Sequence, residues 1–350
     1  MNEARPHLTV TAAPHITAPV TVSRLMWVVA FALLPAFAGA IYFYGLRALL
    51  ITGLSTASAL LFDALGQRLF GRKVTLLDGS AALTGLLLGF NLPPAVPWWI
   101  PVVGSAFATL IAKQFFGGLG HNFINPALAG RAFLVASWPT QLTTTWLAPR
   151  GGTISALPPE ALTICTDAVT TATPLNVLKQ GAKLVRPTCD PQLLYQHLQS
   201  WSTLKKLFLG TSGGCIGETS ALLLLVGGIF LIALRVIDWR IPLSYLLTVA
   251  ALVLVLPGNK AGLLNYTLFH LLSGGLILGA FYMATDYVTS PLTARGRVIF
   301  GIGCGILTVL IRLWGGYPEG VCYSILLMNV ATPLIDRLTP PRVFGTRRIK

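Results

Sequence analysis

Ten predominantly apolar segments recur along this chain and restrict its fold more than any other feature. A transmembrane helix needs about 20 mainly apolar residues, since the hydrocarbon core of a bilayer is about 30 Å thick. The core of a bilayer offers no water to backbone polar groups, so apolar segments of this length are expected to be helical. The predicted spans are 25–44, 46–65, 78–92, 95–113, 123–138, 217–236, 241–257, 264–284, 296–313 and 319–337. We therefore predict an all-α polytopic membrane protein with about ten transmembrane helices.

The composition agrees with a membrane protein and argues against other classes. Hydrophobic residues make up 54% of the chain and charged residues only 10%, whereas about a quarter of the residues of a soluble domain are charged. The net charge of +14 is explained first by the positive-inside rule, so we expect no nucleic-acid partner. The first apolar run starts only near Leu25, which argues against a cleavable signal peptide. No zinc site or self-contained iron–sulfur cluster is expected, because the cysteines lack ligand spacing: Cys165, Cys189, Cys215, Cys304 and Cys322.

The distribution of lysine and arginine predicts the orientation of the chain. With a cytoplasmic N-terminus, fifteen of them fall in the tails and short inside segments, and three fall in short outside segments, namely Arg47, Lys260 and Arg312. Positive residues accumulate on the cytoplasmic side, so both termini are predicted inside and the long loop outside. The predicted regions are a cytoplasmic segment 1–24, a first membrane half 25–138, an external loop 139–216, a second membrane half 217–337 and a basic cytoplasmic tail 338–350.

The two membrane halves contain similar stretches. In the first half, "LLLGFNLPP" and "KQFFGGLGHNFINPALAG" resemble "LILGAFYMATD" and "RLWGGYPEGVCYSILLMN" in the second. Two units of five spans joined by an outside loop insert with opposite topology, which predicts a five-plus-five inverted repeat. The third and fifth segments are short and rich in Gly and Pro, as in helices broken near a midplane site, and Asn125 and Asn329 are predicted to cap such helices. On the residues alone, this layout favours a transporter or channel.

Two charged residues, Arg131 and Glu218, lie within predicted membrane spans, where a charge is energetically unfavourable. Arg131 lies inside the apolar run "NPALAGRAFLVASWP", and a charge at the centre of an isolated span costs about 2.5–3.5 kcal/mol on insertion scales. It is expected to face the bundle and find a partner, either as an anion, cofactor or ion-path residue or as part of a structural ion pair. Glu218 opens a span directly after the long loop. It is either the acidic residue of a first helical turn, favoured by the helix dipole, or a functional group.

A threonine-rich stretch, "TDAVTTATPLNVLK" at 166–179, lies in the long polar loop. Thr173 is predicted to be an N-cap and Pro174 the first residue of a helix. An anion at such an N-terminus meets the free backbone N–H groups and the positive end of the helix dipole. Three basic residues that follow are expected to screen its charge: Lys179, Lys183 and Arg186.

Motifs along the whole chain resemble the D subunit of the Rnf (Rsx) ion-translocating electron-transport complex. The B subunit of the sodium-translocating NADH:quinone reductase is similar but usually carries a longer N-terminal region. The matching stretches are "DGSAALTGLLLGFNLPP", "KQFFGGLGHNFINPALAGRAFL", "DAVTTATPL", "GCIGETSALLLLVGG", "FYMATDYVTSP", "RGRVIFGIGCGILTVLIRLWGGYPEGV" and "LLMNVATPLIDRLTPPRVFG".

The resemblance implies a covalent flavin. In that family the loop motif carries flavin mononucleotide (FMN) through a phosphoester to its last threonine, which is Thr173 here. Asp167, Thr170, Thr171 and Ala172 form the rest of the motif, with Thr170-Thr171 where the family often has Ser-Gly. A threonine hydroxyl is a poor nucleophile unaided, so a separate flavin transferase is expected to attach the group. Further expected contributors to the cofactor site are Arg131, Asn125 and Glu218. A non-covalent riboflavin, as in the B-subunit relatives, is a second expected cofactor.

The resemblance also implies partners and a location. Electrons between ferredoxin and NAD would pass through an external flavoprotein subunit, other membrane subunits and cytoplasmic iron–sulfur subunits, coupled to movement of Na⁺ or H⁺. The chain is expected in the lipid of the bacterial inner membrane, with the flavin loop periplasmic and no activity alone. Two alternatives remain at this stage, the quinone-reductase B subunit and a redox-free inverted-repeat channel or transporter. "DAVTTATPL" disfavours the channel, which has no need of a flavin motif.

Overall fold

The computed structural model describes residues 21–156, 173–184, 191–256, 262–317 and 319–340. Within these ranges all regular structure is helical, apart from an isolated bridge between Thr153 and Ser212. The predicted all-α class is therefore confirmed for the described residues.

The helices follow the predicted regions in order. In the first half they are α1 (Val22–Ala32), α2 (Leu34–Tyr44), α3 (Leu46–Leu69), α4 (Ser80–Phe90), α5 (Trp99–Ala106), which continues as the π-helical Phe107–Gln114, and α6 (Pro126–Ser137). In the predicted external loop they are α7 (Pro139–Thr143), α8 (Pro174–Leu184), α9 (Pro191–Leu198) and α10 (Trp201–Leu209). After the 3₁₀ helix Ile216–Glu218, the second half contains α11 (Ala221–Ala233), α12 (Arg240–Val255), α13 (Leu263–Leu272), α14 (Leu276–Leu278) with the π-helical Gly279–Met283, α15 (Ala294–Trp314) and α16 (Val321–Leu338).

Each of the ten predicted spans contains a helix, but not every helix is long enough to cross a bilayer alone. Among the described residues, four helical segments are long and apolar enough. They are α1 and α2 taken together (Val22–Tyr44), α3 (Leu46–Leu69), α15 (Ala294–Trp314) and α16 (Val321–Leu338). The bent pair α13 and α14 would be a fifth, and α4, α6, α11 and α12 are shorter apolar helices. A polytopic membrane protein agrees with these lengths, while the ten-span inverted repeat stays a prediction.

The eighth predicted span differs from its expected form. The sequence predicts one continuous segment, 264–284, whereas the structure bends it by 62° between α13 and α14. The bend lies at Gly274 and Gly275, whose φ angles of +70° and +64° lie in the left-handed region that glycine adopts without a steric penalty. Two glycines within "LLSGGL" are thus the local cause of the break.

Small residues let neighbouring helices of the bundle approach closely. In the first half α3 packs against α4, and a Cβ on Gly85 would lie 2.6 Å from Thr56 Cα. In the second half α12 packs against α15, and a Cβ on Gly305 would lie 2.6 Å from Thr248 Cβ. Such contacts are typical of membrane helices, which associate through close packing and not through the hydrophobic effect.

The two halves meet through α6 and α16 and through α1, α2 and α11. Asn125 caps α6 as predicted, because its Oδ1 accepts from the backbone N–H groups of Ala127 (3.0 Å) and Leu128 (3.3 Å). The same prediction for Asn329 is wrong, since this residue lies within α16, whose N-cap is Gly320. In the amide orientation that satisfies its neighbours, Asn329 accepts from Asn125 N at 3.1 Å and so links the halves.

Candidate functional site

Thr173 lines a cavity of about 390 Å³ between the loop helix α8 and both membrane halves. The walls come from the C-terminal end of α4, from α6, from the end of α7, from the first turn of α8 and from the segment that joins α15 to α16. We call this space the Thr173 cavity. Its polar or charged lining residues include Asn91, Arg131, Thr143, Thr173, Asn176 and Glu319.

Thr173 stands at the start of α8, where the sequence predicts it. Helix α8 begins at Pro174, and the carbonyl of Thr173 accepts the first helical hydrogen bond from Val177 N at 2.9 Å. The residue is only 6% exposed. Since the first turn of α8 borders the cavity, a phosphate on Thr173 would meet the positive end of this helix.

Lys179 fixes helix α8 to the second half. Its ammonium group donates to the carbonyls of Ile311 (3.1 Å) and Tyr317 (2.9 Å). The first of these carbonyls belongs to the last turn of α15, and cations there are favoured by the helix dipole. The sequence predicts that Lys179 screens the charge at the Thr173 end of α8. In the structure Lys179 instead holds the helix against the second half.

Arg131 finds a partner in the opposite half of the molecule. It forms an ion pair with Glu319, and it donates to Asn91 Oδ1 at 2.6 Å and to Cys215 Sγ at 3.7 Å. The Arg131 and Glu319 side chains are 11% and 19% exposed. The expectation that Arg131 faces the bundle and has a partner is confirmed, and the pair forms part of the cavity wall.

Glu218 lies beside this ion pair. It belongs to the 3₁₀ helix Ile216–Glu218, ahead of the Ser220 N-cap, so it is not in the first turn of α11. Together with Thr173 and Glu319 it lines a second, much smaller cavity of about 20 Å³. Its Oε1 is buried and has no hydrogen-bond partner within the part of the chain that the structure describes. The carboxylates of Glu218 and Glu319 and the Cys215 thiol offer ligand atoms within 4.8 Å of one another, but Arg131 already neutralises Glu319.

Aromatic side chains form another part of the Thr173 cavity. Tyr317 and Tyr323 are stacked with ring centroids 5.0 Å apart and an interplanar angle of 28°. Trp146 lies on the wall of the same cavity and donates its indole N–H to Thr143 O at 2.6 Å. Flat aromatic faces of this kind favour stacking with a planar ring.

The structure brings some predicted site residues together and separates others. Thr173 and Arg131 share the cavity, and Glu218 adjoins it. Asn125 lies at the other end of α6 and lines a separate cavity of about 70 Å³ with Lys113 and Asp286. The remaining predicted residues, Asp167, Thr170, Thr171 and Ala172, lie outside the described residues.

Sequence reasoning missed several residues that line the Thr173 cavity, namely Glu319, Asn91, Tyr317 and Tyr323. All but Asn91 occur in or just after "GGYPEG", a helix-breaking stretch between two apolar spans. A carboxylate placed in such a break is a signal that could have been used, because breaks in spanning helices often line sites. Asn91, at the end of "LLLGFN", stands in a comparable place after α4.

These residues fit a phosphoester-linked flavin. The volume lies within the range of about 300–1,000 Å³ that small-molecule pockets occupy. A helix N-terminus suits the phosphate, a guanidinium suits negative charge on a ring, and the tyrosine pair offers a stacking surface. The walls of the cavity around Thr173 are therefore compatible with the flavin that the sequence motif predicts.

Comparison with known proteins gives one consistent family. The model of the NQR2, RnfD, RnfE family matches residues 9–345. The chain is 49% identical to the D subunit of the Na⁺-translocating ferredoxin:NAD⁺ oxidoreductase complex of Acetobacterium woodii, over 100% of this chain and 98% of that protein. It is 45% identical to the proton-translocating counterpart of Clostridium ljungdahlii, over 97% of both. It is 39% identical to the D subunit of the ion-translocating oxidoreductase complex of Escherichia coli, over 93% of this chain and 95% of that protein. The motif resemblance is confirmed by these matches over nearly the whole length, and the chain belongs to the NQR2, RnfD, RnfE family.

Proposed function

We propose that this chain is the D-type membrane subunit of an ion-translocating ferredoxin:NAD⁺ oxidoreductase complex and that it carries FMN on Thr173. The observation that carries the proposal is the position of Thr173, at the N-terminus of α8 and on the wall of the cavity that Arg131 also lines. The names of full-length relatives support the D-type assignment over the quinone-reductase B subunit. The same names and the cavity chemistry disfavour a redox-free channel.

The role of the protein groups follows from their positions. A bound flavin supplies one- and two-electron chemistry that side chains lack. Thr173 holds the phosphoester, and the first turn of α8 stabilises its negative charge. Arg131 and Glu319 face the cavity as an ion pair, and Asn91 also orients the Arg131 guanidinium. Charge placed near a flavin ring tunes its reduction.

The proposal also includes the membrane in which the chain works and the coupling of electron transfer to ion movement. The chain works in the bacterial inner membrane with other membrane subunits, an external flavoprotein subunit and cytoplasmic iron–sulfur subunits. Electron transfer drives Na⁺ or H⁺ across the membrane, at about 2.3 kcal/mol per charge for each 100 mV. A flavin transferase matures the chain, and a non-covalent riboflavin is a second proposed cofactor.

The flavin assignment is tested by replacing Thr173. Thr173→Ala removes the acceptor hydroxyl, so the denatured chain, co-expressed with a flavin transferase, should lose its in-gel fluorescence. The lost cap costs only about 0.5–2 kcal/mol, so inserted protein should persist. Thr173→Ser keeps a hydroxyl at the same place and serves as the matched control, which should retain some label.

Peptide mass spectrometry gives the position of the label. The flavin-phosphate mass is expected on Thr173 of the wild-type peptide and on neither Thr170 nor Thr171, because only Thr173 directly precedes Pro174 at the helix start. Fluorescence that persists in Thr173→Ala, or an unmodified wild-type peptide, would overturn the proposal.

The proposed topology is tested with reporter fusions. Fifteen basic residues on one side against three on the other favour cytoplasmic termini and an external 139–216 loop. Reporters fused after Lys206 and after Lys350 should therefore signal from opposite sides of the membrane. Signals from the same side would contradict this orientation.

A further inference from the structure

A second charged cavity lies away from the Thr173 cavity, where α11 joins α12. It has a volume of about 340 Å³ and is bordered by the end of α11, the first turn of α12, the segment after the π-helical Gly279–Met283 and the first turn of α15. Its charged lining residues are Arg235, Asp238, Arg240 and Arg297. We call it the basic cavity.

One carboxylate organises two of the three guanidinium groups. Asp238 Oδ2 accepts from Arg240 Nη1 at 2.9 Å and from Arg297 Nη1 at 2.6 Å. Burial alone would raise the pKa of Asp238, but these hydrogen bonds and one from Arg240 N lower it below its ordinary value. Asp238 is therefore ionised at neutral pH, and three arginines face one negative charge.

Arg235 is the cation of the basic cavity that no described residue neutralises. It is exposed and stands at the end of α11 with a φ of +56°, a conformation that non-glycine residues rarely adopt. Backbone bonds from Arg235 N to Ile232 O and from Val236 N to Leu231 O, both 2.9 Å, fix this helix end. Within the described residues its guanidinium makes no hydrogen bond or ion pair.

The rim of the basic cavity is apolar and exposed. Trp239 and Tyr287 line the cavity and are 52% and 45% exposed, and Leu234, which precedes Arg235 in the chain, is 52% exposed. Arg240 lies over the Trp239 ring at 5.6 Å. Trp and Tyr concentrate where a membrane meets water. The charge bias of the sequence assigns this end of the second half to the cytoplasmic side, where anionic lipids attract basic residues.

We propose that the basic cavity binds the phosphodiester headgroup of an anionic phospholipid, with its acyl chains along the exposed apolar rim. The surplus of two positive charges over the Asp238 carboxylate attracts the single negative charge of a phosphodiester. The N-terminus of α12 lies on the same wall, with its first N–H, that of Arg240, bonded to Asp238. A free phosphate shares this headgroup chemistry, but it would leave the exposed surfaces of Leu234, Trp239 and Tyr287 uncovered. The site is independent of the flavin, so its test does not depend on Thr173.

The test is native mass spectrometry of the full-length chain in a non-ionic detergent. Phosphatidylglycerol and phosphatidylcholine with identical acyl chains are titrated in turn, and phosphatidylglycerol should bind at least fivefold more tightly. Arg235→Gln should weaken phosphatidylglycerol binding about fivefold, the effect expected for one basic residue near an anionic lipid. This variant breaks no described hydrogen bond or ion pair, so it should fold normally.

Arg295→Gln is the matched control. Arg295 is an exposed residue of α15 two positions before Arg297, and it does not line the basic cavity. Its replacement should leave lipid binding unchanged. Equal losses in the Arg235 and Arg295 variants would mean attraction by overall charge and would overturn the site.

Inorganic phosphate separates the two sources of the headgroup chemistry. Added at millimolar concentration, it should not displace phosphatidylglycerol, because it gains nothing from the apolar rim. Displacement by phosphate, or equal binding of phosphatidylcholine and phosphatidylglycerol, would overturn the assignment to an anionic lipid.

Discussion

Arg131 is largely buried in the bundle and Arg312 is fully buried, yet their surroundings differ. Arg312 is 4% exposed, and its partners among the described residues are all backbone carbonyls, those of His270 (2.5 Å), Ser273 (2.9 Å), Gly274 (3.4 Å) and Glu319 (3.0 Å). Arg131 instead contacts side chains and lines the Thr173 cavity. Arg312 thus stabilises the chain break at Gly274 and Gly275, whereas Arg131 borders the cavity in which we propose that FMN is bound.

Replacing Arg312 should have the largest effect on stability. Arg312→Met leaves several buried carbonyls at the α13–α14 break without a donor, and each such group costs about 1–3 kcal/mol. We expect several kcal/mol of lost stability and little monodisperse protein by size-exclusion chromatography in detergent. Arg295→Met, an exposed site on the same helix, should behave as wild type. A normal yield of monodisperse Arg312→Met protein would contradict the structural role of Arg312 and its difference from Arg131.

Replacing Arg131 should affect function more than folding. Arg131→Leu should lower ferredoxin-driven NAD⁺ reduction by membranes with the whole complex at least tenfold while covalent flavin stays on Thr173. It also leaves Glu319 without its partner, and breaking a buried pair costs about 3–5 kcal/mol at most. The double variant Arg131→Leu/Glu319→Gln removes both charges, so it should regain stability but not turnover. Normal turnover with normal label would make Arg131 structural, like Arg312.

Replacing Lys179 should have the smallest effect of the three substitutions on stability. It tests whether a cation that donates to backbone carbonyls has a structural role even when it is partly exposed. Its ammonium also donates to two carbonyls, but it is partly exposed. Lys179→Met should therefore cost about 0.5–1.5 kcal/mol per bond lost. The readout is faster proteolysis of the external loop, with the label on Thr173 retained. Lys205→Met, at an exposed position on α10, is the control, and equal cleavage rates in the two variants would remove the proposed role of Lys179.

Much of the fold follows from hydropathy, because long apolar runs leave a chain in lipid few choices other than helix. The break at Gly274 and Gly275 does not follow from it, since hydropathy averages over a window and does not register two left-handed residues. The prediction for Asn329 is wrong because similarity to the Asn125 stretch does not reveal that Gly320 already starts α16. Counting charges assigns Arg312 to a short outside segment and does not show that it is buried.

The Thr173 cavity is predictable from the sequence only in part. The motif and the helix start identify Thr173, and the cost of charge in lipid indicates that Arg131 faces inward. The identity of its partner does not follow from the sequence, because Glu319 is distant along the chain and reaches Arg131 only through the packing of α6 against α16. Pairing of this kind depends on tertiary structure and leaves no local pattern.

The Arg131–Glu319 pair has a mechanical consequence. Arg131 belongs to a helix of the first half, and Glu319 belongs to the segment that precedes the last helix of the second half. A movement of one half relative to the other would separate these opposite charges. The free energy needed to separate them is larger in surroundings of low dielectric constant. A change of charge in the Thr173 cavity would, in turn, alter the force that holds the two halves in register. At the Arg131–Glu319 contact, the charge of the cavity and the relative position of the two halves would therefore depend on each other.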